Sequence, residues 1–569
     1  MDGTLTIRYI RNQSPTTSWP VSDSVFKALI YLHSGPNGFS LEFSPAGSRN
    51  KYISTHHLIY HPMTSCPAIK LVIVMAKDSE YADTNTSRSG TTALSIAMAK
   101  YRMAAYTWQI FTAEQMNSRE SPRRTFQLEN EWRESTLFSQ DIHSDEMRNE
   151  APVHVVTLQQ NLEEVQQMSE SDFVRSVETA LMSRFSISER QPTYFSCLFM
   201  DSDWNQANRT FKRGFAYGGP GILNNKSIGL AIYGDHVLSS YPSSIDRVTA
   251  AFSDETPTHG ALESVKWKCA TAGMGAHLQQ VYHMLGLPKQ EYGIMSDESA
   301  NIASMFSLYA SHKVALPRLH PLDAIRLRHH QTMRSPFAPM ERIRPHTAPA
   351  FWGVSESAIF ISSRAGLTGI EIYNPGDKVC KHWINLLDKR GCPRYTYQLS
   401  HNEIMKQCLP GRSVGRLSFR PGPYSVMVLT ADGNSTPIVD FEKFARRLMV
   451  SDSGNKSQSF RSCTVGASVL GSQHSLVQFP HSSRMLGLTV YHTPGVCITG
   501  IEFSFEGGEK LLFGNRTGDS GKDWRLRAID GELLLGMELC VDESLQGLRL
   551  FTSAGRLSPW FGNATPGIE

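Results

Sequence analysis

Apolar positions along the chain follow three rhythms, and each predicts a different kind of element. IKLVIVMA from Ile69 and YFSCLFMDS from Tyr194 are nearly unbroken apolar runs. Runs that short and that continuous predict strands buried on both faces. TALSIAMAKYRMAAYTWQIFTAEQMN (Thr92 to Asn117) and SDFVRSVETALMSRF place bulky apolar residues three and four apart. That spacing predicts a long helix and a shorter amphipathic one, the second capped at Ser171 or Asp172. HVVTLQ and SIGLAIYG add further strands. Strand and helix alternate from about residue 60 to 330, which predicts one α/β domain. SAIFISS, GIEIYN and YSVMVLT instead alternate apolar with polar residues between Gly, Pro and Asn turns. That is the pattern of antiparallel β-structure.

Both ends of the chain differ from this. Residues 1–60 are rich in Ser, Pro and Gly with short β-like runs, and SDSGNKSQSFRS (451–462) reads as a linker. The last segment contains a repeat. GIEFSFEGGEKLLFGN from Gly500 and GLRLFTSAGRLSPWFGN from Gly547 each run from Gly through a strand and a Gly turn to Phe-Gly-Asn. Two matched units predict a pseudo-symmetric β architecture with Phe513 and Phe561 in equivalent core positions. Gly507-Gly508 and Gly555 are expected to form the matching turns.

Composition narrows the field. With 569 residues the chain is long enough for several domains. Hydrophobic residues make up 40% and charged residues 19%, the balance of a folded protein. The net charge of +3 gives no electrostatic reason to expect nucleic-acid binding. The N-terminal MDGTLTIRYIRNQ has no apolar signal core, and the best apolar run ends at Lys77 and Asp78. A cytoplasmic protein without a membrane span is expected. Nine scattered cysteines with no CxxC pair fit free thiols in a reducing compartment.

The chemistry-bearing stretch is WKCATAGMGAHLQQVYHMLGLPKQEYGIM, from Trp267 to Met295. It has the shape of HExxHxxGxxH followed by a Met turn. In such a site two His four apart on one helix face bind zinc, and the Glu between them polarises the metal-bound water. A Gly ends the helix so that a third His can complete the set. Here the first His position is Gln279, the Glu position Gln280, the second His position His283 and the third Lys289. Gly286 and Met295 stand where the turn glycine and the Met turn belong. A glutamine cannot accept a proton from water at neutral pH, so no general base is intact at Gln280. An ammonium at Lys289 has no lone pair to donate. No metal is therefore expected, His283 being the one retained ligand-type residue.

His277 lies six residues before His283, about 240° around a helix, and is expected to face away. His236, His259, His320, His329 and His330 leave open a rebuilt zinc site. The helix is expected over 268–286, with Met274, Leu278, Val281 and Leu285 on its buried face. Gln279, Gln280 and His283 should line one cleft. Lys289 should either turn its ammonium into that cleft or lie on the surface.

LVIVMAKDS, AKYRMAAYTWQIFTAEQMN, CLFMDSDW, GLAIYGDHVLSSYP, WKCATAGMGA, LGLPKQEYGIM and LHPLDAIRLRHH together resemble a family of fungal proteins classed as zinc metallopeptidases, with a C-terminal jacalin-like lectin domain. The resemblance implies a multidomain α+β chain. Its parts would be a β-rich segment (1–60), a zincin-like metallopeptidase domain (61–335), an antiparallel β domain (336–450), the linker (451–462) and a jacalin-like β-prism (463–569). The family's sugar loop is of GxxxD type and precedes the last strand. The chain stops at Glu569, so that loop and the last strands are expected to be missing. The expected role is a catalytically inactive homologue that binds a glycan or a protein partner. An active zinc peptidase with a non-standard ligand set, or a lectin, are the alternatives.

Overall fold

The structure is a computed structural model. It describes residues 1–10, 14–62, 66–82, 92–119, 121–187, 192–202, 204–205, 210–211, 216–223, 226–258, 263–296, 301–333, 348–408, 423–451, 458–460, 485–493, 497–516, 519–525, 534–541, 545–552 and 556–562. The chain is a multidomain α+β protein that divides into two compact units. The first comprises Met1–Thr347, Ala365–Tyr395 and Ser425–Pro437; the second comprises Ala348–Arg364, Thr396–Tyr424 and Ile438–Glu569.

The first unit begins with a five-stranded antiparallel sheet. Its order is Val25–Phe26, Thr17–Ser22, Gly3–Ile10, Gly35–Pro45, Tyr52–Tyr60. Leu5, Ile7, Trp19, Val21 and Phe39 alternate inward and join the main core. A second sheet follows in the order Tyr217–Leu223, Lys226–Gly234, Thr193–Phe199, Ile69–Met75, Val153–Thr157. Its pairs are parallel, apart from the antiparallel edge strand Tyr217–Leu223.

The unbroken apolar character of Ile69–Met75 has a direct cause: both faces of this sheet are covered. Leu71, Ile73 and Met75 point into a core shared with the helices Ala93–Ser118 and Lys266–Met284. Val72 and Val74 point the other way, against Phe173, Val177 and Leu181 of the helix Glu170–Arg184. That helix starts earlier than its sequence suggests. Ser169, not Ser171 or Asp172, accepts the backbone N–H of Asp172 and is the cap. In MSESD several residues could cap, and the one three before a free N–H wins. Later in this unit, Gly369–Ile372 pairs antiparallel with His382–Asn385 and with Ser425–Thr430. The buried Glu371 is held by Arg326 at 2.7 Å.

In the second unit Ala350–Ser355 forms an antiparallel hairpin with the start of the strand Ala358–Tyr373. The expected linker lies partly outside the described residues; its Gln458–Phe460 pairs with Met449–Ser451. Towards the C-terminus, two antiparallel sheets of four and three strands share one apolar core. The two repeats have the same register. Gly500 faces Gly514 and Ile501 faces Phe513 in the first; Gly547 faces Gly562 and Leu548 faces Phe561 in the second. Phe513 and Phe561 both pack in the shared cluster. The Gly507-Gly508 turn is present, with both residues at positive φ. Gly555 and Asn563 lie outside the described residues. Among the described residues no helix is long and apolar enough to cross a membrane.

Candidate active site

The helix that carries the motif runs Lys266–Met284, two residues earlier at each end than its apolar spacing suggests. Met274, Leu278, Val281 and Leu285 are buried on one side. Past Met284 the chain closes in a Schellman turn. The Gly286 N–H donates to the His283 carbonyl and the Leu287 N–H to the Tyr282 carbonyl, with Gly286 at φ 81°. This turn carries Lys289 back past the helix end.

A different glycine sets the roof of the site. The edge strand Tyr217–Leu223 crosses the helix at Gly218. A methyl group there would lie 2.4 Å from the Gln280 carbonyl oxygen and 2.7 Å from the His283 Cβ. Nothing lies within 4 Å of the same position on Gly286. The two substitutions are therefore expected to differ. Gly286→Ala should cost about 1–2 kcal/mol, from its left-handed backbone alone. Gly218→Ala should cost more, because helix backbone blocks it and strand and helix must move apart. Urea unfolding of the two variants side by side measures the difference.

Gln279, Gln280 and His283 share one half-buried helix face beneath this strand. Gln279, at the first ligand position, donates its amide Nε2 to the carbonyls of Ile294 (2.7 Å) and Ser296 (3.0 Å). Those residues flank Met295, which is buried. The side chain thus clasps the helix to the Met turn. Gln280 bonds back to the Ala276 carbonyl at 3.4 Å. His283 donates its Nδ1–H to the Leu287 carbonyl at 2.8 Å, which leaves the lone pair on Nε2. Its pKa is lowered, first by burial and then by the positive charge of Lys289, with the Leu287 hydrogen bond opposing. Lys289 itself is exposed and acts on His283 through its charge.

These residues do not fit a zinc ion. A catalytic zinc takes three protein ligands. The Gln279 amide nitrogen is occupied as a double donor, and Lys289 presents a cation. Among the described residues no three His, Cys, Asp or Glu side chains come together as a metal-holding group. The other histidines have separate settings. His320 caps the helix Pro321–His329. His236 lies against Tyr233 and His330 against Tyr194, while His259 is outside the described residues. His277 faces away from the cleft. It is fully buried, stacked on Tyr101 and Tyr233, and 3.1 Å from Ser196 Oγ, which also accepts the Tyr101 hydroxyl. Burial lowers its pKa to about 3, so it is neutral.

One element of the site has no motif to announce it. Gln290 follows Lys289, and its Nε2 donates to Asp323 Oδ1 at 2.7 Å. Asp323 is fully buried, and its other oxygen has no hydrogen-bond partner; nor has Gln290 Oε1. Two buried acceptors flanking one hydrogen bond are both satisfied if Asp323 keeps its proton and donates to Gln290 Oε1. Burial pushes the Asp323 pKa up to about 8, with the Gln290 bond and Arg326 opposing and Glu371 adding to the rise. Burial favours the protonated form of Asp323, and the Gln290–Asp323 hydrogen bond anchors the loop that follows the helix.

Residues 1–368 match a family model described as "Metallopep: Putative peptidase family". The chain is 25% identical over 585 aligned positions to a Schizosaccharomyces pombe protein named "Putative zinc metalloproteinase C607.06c", covering 99% of this chain and 89% of that one. It is 26% identical over 372 positions to "Putative zinc metalloproteinase YIL108W" of Saccharomyces cerevisiae, covering 59% and 51%. Among solved structures, wild type OgpA from Akkermansia muciniphila aligns with 67% of this chain and 93% of its own, at 12% identity and a TM-score of 0.37. With the family model spanning well over half its length, the chain belongs to this peptidase family.

Proposed function

We propose that this chain is a catalytically inactive member of its family, a binding or regulatory protein built on a metallopeptidase scaffold. The observation that carries the reading is the Gln279 clasp. At the first ligand position the side chain holds the Met turn by two hydrogen bonds, in a role that needs no metal. Gln280 at the general-base position and Lys289 at the third ligand position support it. The matched C-terminal hairpins are the proposed jacalin-like module, presenting a glycan- or protein-binding surface. Calorimetric titration of the purified protein with zinc, alongside a peptide-library cleavage assay, tests the central point. Neither stoichiometric zinc binding nor turnover is expected. Zinc bound one to one, with cleavage abolished by a chelator, would establish the active-peptidase alternative instead. A glycan array tests the module separately.

A further inference from the structure

The N-terminal sheet ends in an edge strand of unusual composition. Tyr52–Tyr60 reads YISTHHLIY and is solvent-exposed along almost its whole length. Among the described residues its one strand partner is Gly35–Pro45, in unbroken register from Gly35↔Tyr60 to Phe43↔Tyr52. Among the described residues nothing pairs with the opposite edge of this nine-residue strand, so its outward-pointing backbone donors and acceptors have no strand partner there. Edges of this kind are normally blunted by lysine, proline, a bulge or brevity. This strand has no charged residue, no proline and no register shift. It exposes Ile53 and Ile59 at 67% each, along with Tyr52 and Leu58.

The sequence itself indicates what fits this edge. Outward from His56 the residues pair as Thr55 with His57, Ser54 with Leu58, Ile53 with Ile59 and Tyr52 with Tyr60. The two outer pairs, Tyr52/Tyr60 and Ile53/Ile59, are identical; Ser54/Leu58 and Thr55/His57 differ. In an isologous contact each pair occurs twice, so these matched positions bring tyrosine against tyrosine and isoleucine against isoleucine on both sides of the axis. We infer that the Tyr52–Tyr60 edge joins a second copy of this chain, antiparallel and two-fold symmetric about His56. Ile53 then faces Ile59 of the second copy and Tyr52 faces Tyr60, twice each. Register with Phe39 and Phe43 puts Tyr52 and His56 on the core-facing side of the sheet. The isoleucines, one residue out of step, form their pairs on the other side. Apolar and aromatic pairs directly opposite each other are the stabilising unit of such a joint. The two five-stranded sheets become one of ten strands.

Sedimentation velocity of the full chain from about 1 to about 100 µM is expected to show a reversible monomer–dimer equilibrium. Ile53→Lys with Ile59→Lys sets like charges opposite each other and should weaken the dimer at least about tenfold. Both side chains are exposed, so circular dichroism should be unchanged. Register is read by cysteine pairing. His56→Cys places two thiols directly opposite, at a Cα separation of about 4.5–5.5 Å, inside disulfide range, and should give a covalent dimer on mild oxidation. Ser54→Cys puts its counterpart four residues away along the strand, roughly 13 Å, and should not crosslink. A monomer throughout the concentration range overturns the inference. So does a dimer that is indifferent to the lysines, or one in which Ser54→Cys crosslinks as well as His56→Cys.

Discussion

Asp323→Asn is expected to stabilise the protein progressively as pH rises, relative to the unaltered chain. Asparagine reproduces the protonated acid: its oxygen accepts from Gln290 Nε2, and its NH2 donates to Gln290 Oε1. Unaltered Asp323 has a folded pKa of about 8, against roughly 3.9 when unfolded. Between those values the unfolded chain has released a proton that the folded chain keeps. Stability from this group is fully present below about pH 4 and is lost as pH rises towards about 8, at about 1.4 kcal/mol per pH unit. The variant lacks that loss, so the gap should widen by that slope and then level off. Arg326, Glu371 and Tyr282 surround the group and stay unchanged in the comparison. Asp235, also raised by burial to about 7, contributes equally to both proteins and cancels. Urea unfolding at pH 5, 6, 7 and 8 reads the effect; parallel curves would show that Asp323 is ionised in the folded state.

The triple variant Gln279→His, Gln280→Glu, Lys289→His should be less stable than the unaltered chain without metal, and should recover with zinc. Losing the Gln279 amide removes two donors from the Met-turn carbonyls, about 1–2 kcal/mol each. His283 already presents Nε2, with Nδ1 fixed by the Leu287 carbonyl, so a third of the ligand set is oriented. Zinc at a hundred times its dissociation constant would add about 2.7 kcal/mol. Thermal scans with and without zinc should separate for the variant and coincide for the unaltered chain. Identical scans for the variant would mean that the helix and turn do not hold metal-site geometry.

What the sequence discloses here follows range. Ile69–Met75 is legible because burial on both faces leaves a continuous apolar run. The Gly286 turn is legible because a left-handed residue after a helix favours glycine. The hairpin repeat is legible because its Gly and Phe positions recur in order. The Ser169 cap is not, since three neighbouring residues have suitable side chains. The Gln290–Asp323 pair is invisible at that level: its members are 33 residues apart, and only the fold brings them together. The Gln279 clasp is hidden for a related reason. A glutamine at 279 reads in the sequence only as the absence of a ligand, while the carbonyls that it holds lie on a turn 15 and 17 residues on. The exposed Tyr52–Tyr60 edge is legible only as one of the short β-like runs of residues 1–60, since which strand ends a sheet depends on long-range pairing.

The clasp also gives substitutions from the present sequence a direction. From the present sequence, His at 279 alone breaks two hydrogen bonds and yields two ligands, short of a catalytic set. Glu at 280 alone adds a base with no metal to serve, and His at 289 alone adds a second imidazole, still short of three ligands. Each single substitution is neutral at best and costly at 279, while the benefit arrives only with the set complete. The geometry works as a ratchet: no single substitution from this sequence completes the HExxHxxGxxH set, and the one at 279 also gives up two hydrogen bonds.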